Sequence, residues 1–216
     1  KKLLFILIIF SFFNAFSQSG ADSCEGAEPS CSDDNGVNLF PNTTGQSSTG
    51  SIGCLGSTPN QAWFFIKVEQ SGSLEFDIIQ ATEFDIRGNA VSGTELDVDF
   101  VAWGPFRNPS GQCDVIYQGT SVQGGGTTLP NNVTPGGVLI PFYIDDTDNS
   151  NMIDCSYSTF TTERFRIPNA GAGDYYLLLI TNYSNSAGFI KLEQTNFGQT
   201  GAGVTDCSIV VGELGA

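Results

Sequence analysis

The chain contains no histidine, and only eight of its 216 residues are lysine or arginine. Lack of histidine removes Ser–His and Cys–His nucleophile pairs. With no CxxC pair either, it leaves no zinc-site pattern. Against the few cations stand 23 Asp and Glu, for a net charge of −15. A chain this acidic repels nucleic acid and anionic headgroups. It attracts cations, and Ca²⁺ prefers carboxylate and carbonyl oxygens. Solubility is the plain alternative reading of the charge. Long hydrophobic runs are missing too: the longest, residues 3–13, is too short to span a bilayer comfortably. No stretch has helical periodicity. "QGGGTT" sits in no strand-to-helix context, so it is a hairpin tip or flexible loop and not a phosphate cradle.

What is present begins with "KKLLFILIIFSFFNAFSQ": two lysines, an apolar run, then small residues. That is the layout of a secretory signal peptide over residues 1–17, with Ala15 and Ser17 before the cut and Gln18 first after it. The remaining 199 residues suit one large all-β domain or two small ones. Without Lys1 and Lys2, six basic residues face 23 acidic ones, a net charge of −17.

Residues 18–60 are rich in Gly, Ser, Asn, Thr and Pro and read as a strap packed on the domain, with one short strand at "VNLF". Regular strands then follow through residues 61–206. In "AWFFIKVE", Ala62, Phe64, Ile66 and Val68 share one face, and Trp63, Phe65, Lys67 and Glu69 the other. "SLEFDII" turns Leu74, Phe76 and Ile78 inward and Glu75 and Asp77 outward. "VLIPFYI", "TERFRI", "DYYLLLITNY" and "GFIKLEQT" repeat this period of two. "YYLLLI" is apolar on both faces, as a central strand is. The pattern predicts an all-β fold, an antiparallel β-sandwich of jelly-roll type. Residues 207–216 read as an exit toward a further domain.

Six cysteines in an exported chain point to disulfides, with 15 possible pairings. Cys31–Cys54 and Cys113–Cys155 each flank a strand region, and Cys24–Cys207 then ties the ends together. That is the expected connectivity.

The candidate chemistry is acidic and aromatic. In "TELDVDFVAWGPF", Leu96, Val98, Phe100 and Ala102 alternate toward a core, while Asp97 and Asp99 share the opposite face. Two such carboxylates lie roughly 6–7 Å apart. They can share a cation, flank a sugar, face water, or pair across strands with Arg164 and Arg166. Calcium needs roughly 6–8 oxygens, so a neighbouring loop must add ligands. A second acidic cluster, Asp145, Asp146, Asp148, Asn149, Asn151 and Asp154 in "IDDTDNSNMID", has the composition of a calcium loop but lacks the EF-hand glycine and terminal glutamate. A solvated turn is its alternative. Ca²⁺ is therefore the one candidate cofactor. Trp103, Phe106, Tyr117, Tyr157 and Tyr183 lie near strand ends or loops, where aromatic faces stack on sugars, anchor a protein partner or close the core. Paired carboxylates also hydrolyse glycosides, but Asp and Glu are too plentiful here for that pairing to carry weight.

"SCEGAEPSCSD", "GCLGSTPNQAWFFIKV", "SGSLEFDI", "LDVDFVAWGPF", "DCSYS", "IPNAGAGDYYLLLITNYSNSAGFIKLEQT" and "TDCSI" occur in this order. Together they resemble the N-terminal domain of large Bacteroidota cell-surface proteins. Those proteins end in a gliding-motility-associated (type B) sorting domain and leave through the type IX secretion system. The resemblance covers residues 22 to about 210. The "GDYYLLLITNYS" block is similar, more weakly, to bacterial pre-peptidase C-terminal domains. The resemblance implies export, surface display or release, and an adhesin-like role. It supplies no catalytic residue and no sorting domain. The stretch between Cys113 and Cys155 is longer than usual for that family, which suggests an extra hairpin.

The expectation is a non-catalytic, exported β-sandwich that binds a glycan or a protein, with calcium as an added stabiliser. It is not expected to insert in a membrane once the leader is gone. A structural cap or spacer in a long surface protein is the alternative, and a carboxylate-dependent glycosidase the third.

Overall fold

A computed structural model describes residues 20–32, 37–108, 111–118, 127–133, 139–142 and 152–209. The leader, residues 1–17, and Asp145, Asp146 and Asp148 lie outside them, as do the side chain of Tyr117 and the last residues of the exit segment.

Thirteen strands are present among the described residues: β1 (Glu28–Pro29), β2 (Val37–Pro41), β3 (Gln61–Gln70), β4 (Gly72–Ala81), β5 (Glu95–Leu96), β6 (Val98–Phe106), β7 (Thr127–Val133), β8 (Leu139–Phe142), β9 (Met152–Ser156), β10 (Thr162–Ala170), β11 (Tyr175–Asn182), β12 (Phe189–Gln194) and β13 (Val204–Thr205). One sheet runs β1-β3-β11-β6-β9, with β13 also on β3. The other runs β10-β4-β12-β2, with β5 on β4. The two pack as a sandwich; their strand order does not establish a jelly roll. β7 and β8 pair apart from both, an additional hairpin between Cys113 and Cys155. β1 is the exception to antiparallel pairing and runs parallel to β3.

Alternation along the strands builds two cores. Ala62, Phe64, Ile66 and Val68 on β3, with Val98, Phe100 and Ala102 on β6, meet Leu74, Phe76 and Ile78 on β4 and Phe165 on β10 between the sheets. The opposite face of the first sheet carries Trp63, Phe65, Val101, Trp103, Leu177 and Leu179. That face is no surface either, because Cys24, Ala27, Cys54 and Leu55 of the N-terminal segment lie over it. β11 is buried on both faces for this reason. Gly53 shows how tightly the layer sits: at φ +55° it faces Val101, where a Cβ would stand 2.9 Å from a methyl carbon.

Two expectations are corrected here. A short helix, α1 (Gln112–Gln118), follows β6. Two turns are too short to display a helical period, and its place comes from tertiary contacts: Cys113 is bonded to Cys24 and Ile116 is buried. The disulfides are Cys24–Cys113, Cys31–Cys207 and Cys54–Cys155, not Cys31–Cys54, Cys113–Cys155 and Cys24–Cys207. The expected pairing joined cysteines across strand regions, and the real bonds join layers. Cys54 in the covering segment lies over Cys155 on β9, Cys24 over α1, and Cys31 beside Cys207 past β13. Separations are 101, 89 and 176 residues. Closing a loop of about 100 residues removes roughly 4–5 kcal/mol of unfolded-chain entropy in the loop-closure account. The three together indicate an oxidising, extracytoplasmic environment.

Candidate functional site

Asp97 and Asp99 stand where β6 begins and where its neighbours β9 and β11 end. The register pairs Asp99 with Thr181 and Val98 with Asn182 on β11, and Phe100 with Ser156 on β9. Continuing it one step sets Tyr157 opposite Asp99 and Tyr183 opposite Asp97. Residues directly opposite share a sheet face, so both aspartates and both tyrosines emerge on one side. There they line a pocket of about 270 Å³ with Ser158 and Thr159.

The tyrosines are the exposed part, 45% for Tyr157 and 46% for Tyr183. Their rings meet edge to face, with centroids 6.1 Å apart and planes at 68°. The Tyr157 hydroxyl donates to that of Tyr183 at 3.4 Å. Asn182 fixes the base of the second tyrosine. Its amide nitrogen donates to the carbonyls of Thr43 and Ser186, and its oxygen accepts from the Ser184 hydroxyl.

The carboxyls are the buried part. Asp99 Oδ1 accepts the Ser158 N–H at 2.9 Å. Burial, with Asp97 close by, pushes its pKa up to about 8. Burial also raises Asp97. Behind Ser158 stands Glu163, fully buried on β10, which accepts a hydrogen bond from the Ser158 hydroxyl. Burial pushes it to about 7. Asp154 on β9, also buried, is raised well above the usual carboxylate range by burial, although it accepts the N–H groups of Arg166 and Cys155. A carboxylate far from water holds its proton more tightly.

The arginines are not partners of Asp97 and Asp99. Arg164 lies opposite Asp77 across β10 and β4 and binds it by two bonds, Nε to Oδ1 at 2.7 Å and Nη2 to Oδ2 at 3.0 Å. Arg166 lies opposite Glu75, at 3.9 Å. The other described ion pairs are Lys67–Asp206, Arg107–Asp174 and Lys191–Glu193. None of the five reaches the pocket.

Trp103 and Phe106 are also corrected. They are 1% and 4% exposed, because their sheet face lies beneath the N-terminal segment. Trp103 stacks on Trp63 at 5.6 Å, and Trp63 Nε1 donates to Gln61 Oε1 at 2.7 Å. They hold the covering layer and offer no binding surface. Among the described residues no three His, Cys, Asp or Glu side chains are grouped to hold a metal ion. Asp97 and Asp99 alone fall well short of calcium's roughly six oxygens.

No protein family and no curated protein matches the chain.

Sequence reasoning missed Ser158, Thr159, Thr181 and Glu163. For Glu163 a signal existed. In "TERFRI" it alternates with Arg164 and Arg166 and shares the inward side with Phe165 and Ile167. A charge at an inward position of a regular strand breaks the local pattern, and such breaks gather at functional or strained sites. Nothing in the sequence marks the other three, which matter only because β6 begins where β9 and β11 end.

Proposed function

We propose that this domain is a non-catalytic binding module of an exported cell-surface protein, and that it holds a sugar ring in the pocket between Tyr157 and Tyr183. The observation that carries the reading is the pair of half-exposed tyrosines standing beside Asp97 and Asp99 in one concavity. Aromatic faces take the apolar side of a pyranose and carboxyls take its hydroxyls. Six lining residues suit one ring of a glycan chain. A stable protein interface takes roughly 20–30 residues a side. Export is supported by the three disulfides and the leader pattern, and surface display by the resemblance to sorting-domain proteins.

The test is electrophoresis of the oxidised protein through gels containing neutral and amino polysaccharides. Retention by at least one is expected. Replacing Tyr157 and Tyr183 by alanine should abolish it while leaving the melting temperature in place. No retention on any polymer, or retention that survives the double substitution, overturns the reading. A structural spacer is the second reading, favoured by the Asp99–Ser158 bond that ties the pocket wall into the fold.

A further inference from the structure

The pocket holds buried oxygens that no donor of the fold reaches. Asp97 Oδ1 is a buried atom with no hydrogen-bond partner, and so is Thr181 Oγ1 beside Asp99. Thr181 is fully buried. Burying an acceptor without a donor costs free energy, and burying a charge without a partner costs more. Five of the described cations are committed to carboxylates elsewhere. Above the carboxyls stand two tyrosine rings at 68°, forming a corner of two ring systems. Cations are drawn to such faces when they lie within about 6 Å of a centroid.

Building on the sugar-binding reading, we infer that the ligand is an amino sugar with an unacetylated ammonium group. Its ring packs on Tyr157 and Tyr183, and its ammonium donates to Asp97 and Asp99 where the fold itself provides no cation. An ammonium has three donors and no acceptor, which matches a floor of acceptors. A neutral sugar hydroxyl can donate there too, but only an ammonium favours the ionised form of carboxyls that burial otherwise keeps protonated. The same corner rejects acidic glycans by like-charge repulsion.

The experiment is calorimetric titration of the intact, oxidised chain with chitosan hexamer and with chitin hexamer. These share a backbone and differ in whether the nitrogen is charged or acetylated. Chitosan is expected to bind at least about tenfold more tightly, the scale of one charge-assisted hydrogen bond. Asp97→Asn should erase the difference, and Tyr183→Ala should weaken both ligands. Both variants lie at half-buried or exposed positions, and a melting temperature near the parent's confirms they are folded. Equal affinity for the two hexamers overturns the ammonium inference and leaves sugar binding standing. Binding of neither, with no retention on any polysaccharide, overturns both. Tighter binding of a lysine-rich peptide than of chitosan, lost in Asp97→Asn, assigns the charge to a protein ligand and overturns the amino-sugar claim. Chitosan binding that vanishes in high salt and is indifferent to Asp97→Asn is attraction to the acidic surface, and it overturns the claim as well.

Discussion

This domain should become less stable as pH rises through neutrality. Asp99 titrates near 8 and Glu163 near 7 in the folded state, both raised by burial. In the unfolded chain such groups titrate at about 3.9 and about 4.3. Between those values the native state keeps protons that the unfolded state has lost. The native state then binds more protons than the unfolded state, so stability falls as pH rises. The contribution is fully present below the unfolded pKa values and is gone once pH passes the folded ones. Each carboxyl contributes a slope of about 1.4 kcal/mol per pH unit. From about pH 5 to about pH 7, the two together give a loss of about 3–5 kcal/mol, against a total stability of about 5–15. The chain has no histidine, and Asp154 and Asp97, both raised by burial, add to the same downward slope. The assay is urea unfolding of the oxidised protein at several pH values, with the denaturant slope checked for constancy. Asp99→Asn keeps an acceptor for the Ser158 N–H and cannot ionise. It should flatten the profile by about 1.4 kcal/mol per pH unit and be more stable than the parent above neutrality. Stability that is level or rising between those pH values refutes the reasoning. So does an Asp99→Asn variant that keeps the parental slope.

The core and its ties give further tests, all read by the same unfolding assay. Gly104→Ala places a Cβ 2.4 Å from the Tyr176 ring at a φ of +145° and should cost about 3 kcal/mol. Trp103→Ala should cost about 3–5 kcal/mol by cavity formation, whereas Tyr183→Ala should change stability by less than about 0.5 kcal/mol. Arg164→Ala leaves the mostly buried Asp77 without its two-bond partner and should cost about 2–4 kcal/mol, with a double-mutant cycle showing coupling to Asp77. Any calcium-dependent rise in melting temperature should survive Asp97→Asn combined with Asp99→Asn, because two carboxyls supply too few ligands.

The strands and their facing were legible because side-chain direction in a strand is local, alternating at every residue. Ala62 to Val68, Leu74 to Ile78 and Tyr175 to Asn182 declared their faces without reference to any other segment. The second buried face of β6 was not legible. Trp103 reads as a strand-end aromatic until Cys54 and Leu55, some fifty residues earlier, are laid over it. Tyr157 and Tyr183 carry the same kind of local signal as Trp103, and only the position of the covering segment makes them surface and it core.

Composition and periodicity by themselves determined an acidic, histidine-free, cysteine-paired β protein with two layers and a central apolar strand. Tertiary structure alone decided which cysteines bond, which arginine meets which carboxylate, and that Asp97, Asp99, Tyr157 and Tyr183 share one pocket. The reason is range. Alternation is set by the neighbouring peptide units, but a disulfide, a cross-strand ion pair or a raised pKa depends on which distant segments exclude water from the same place.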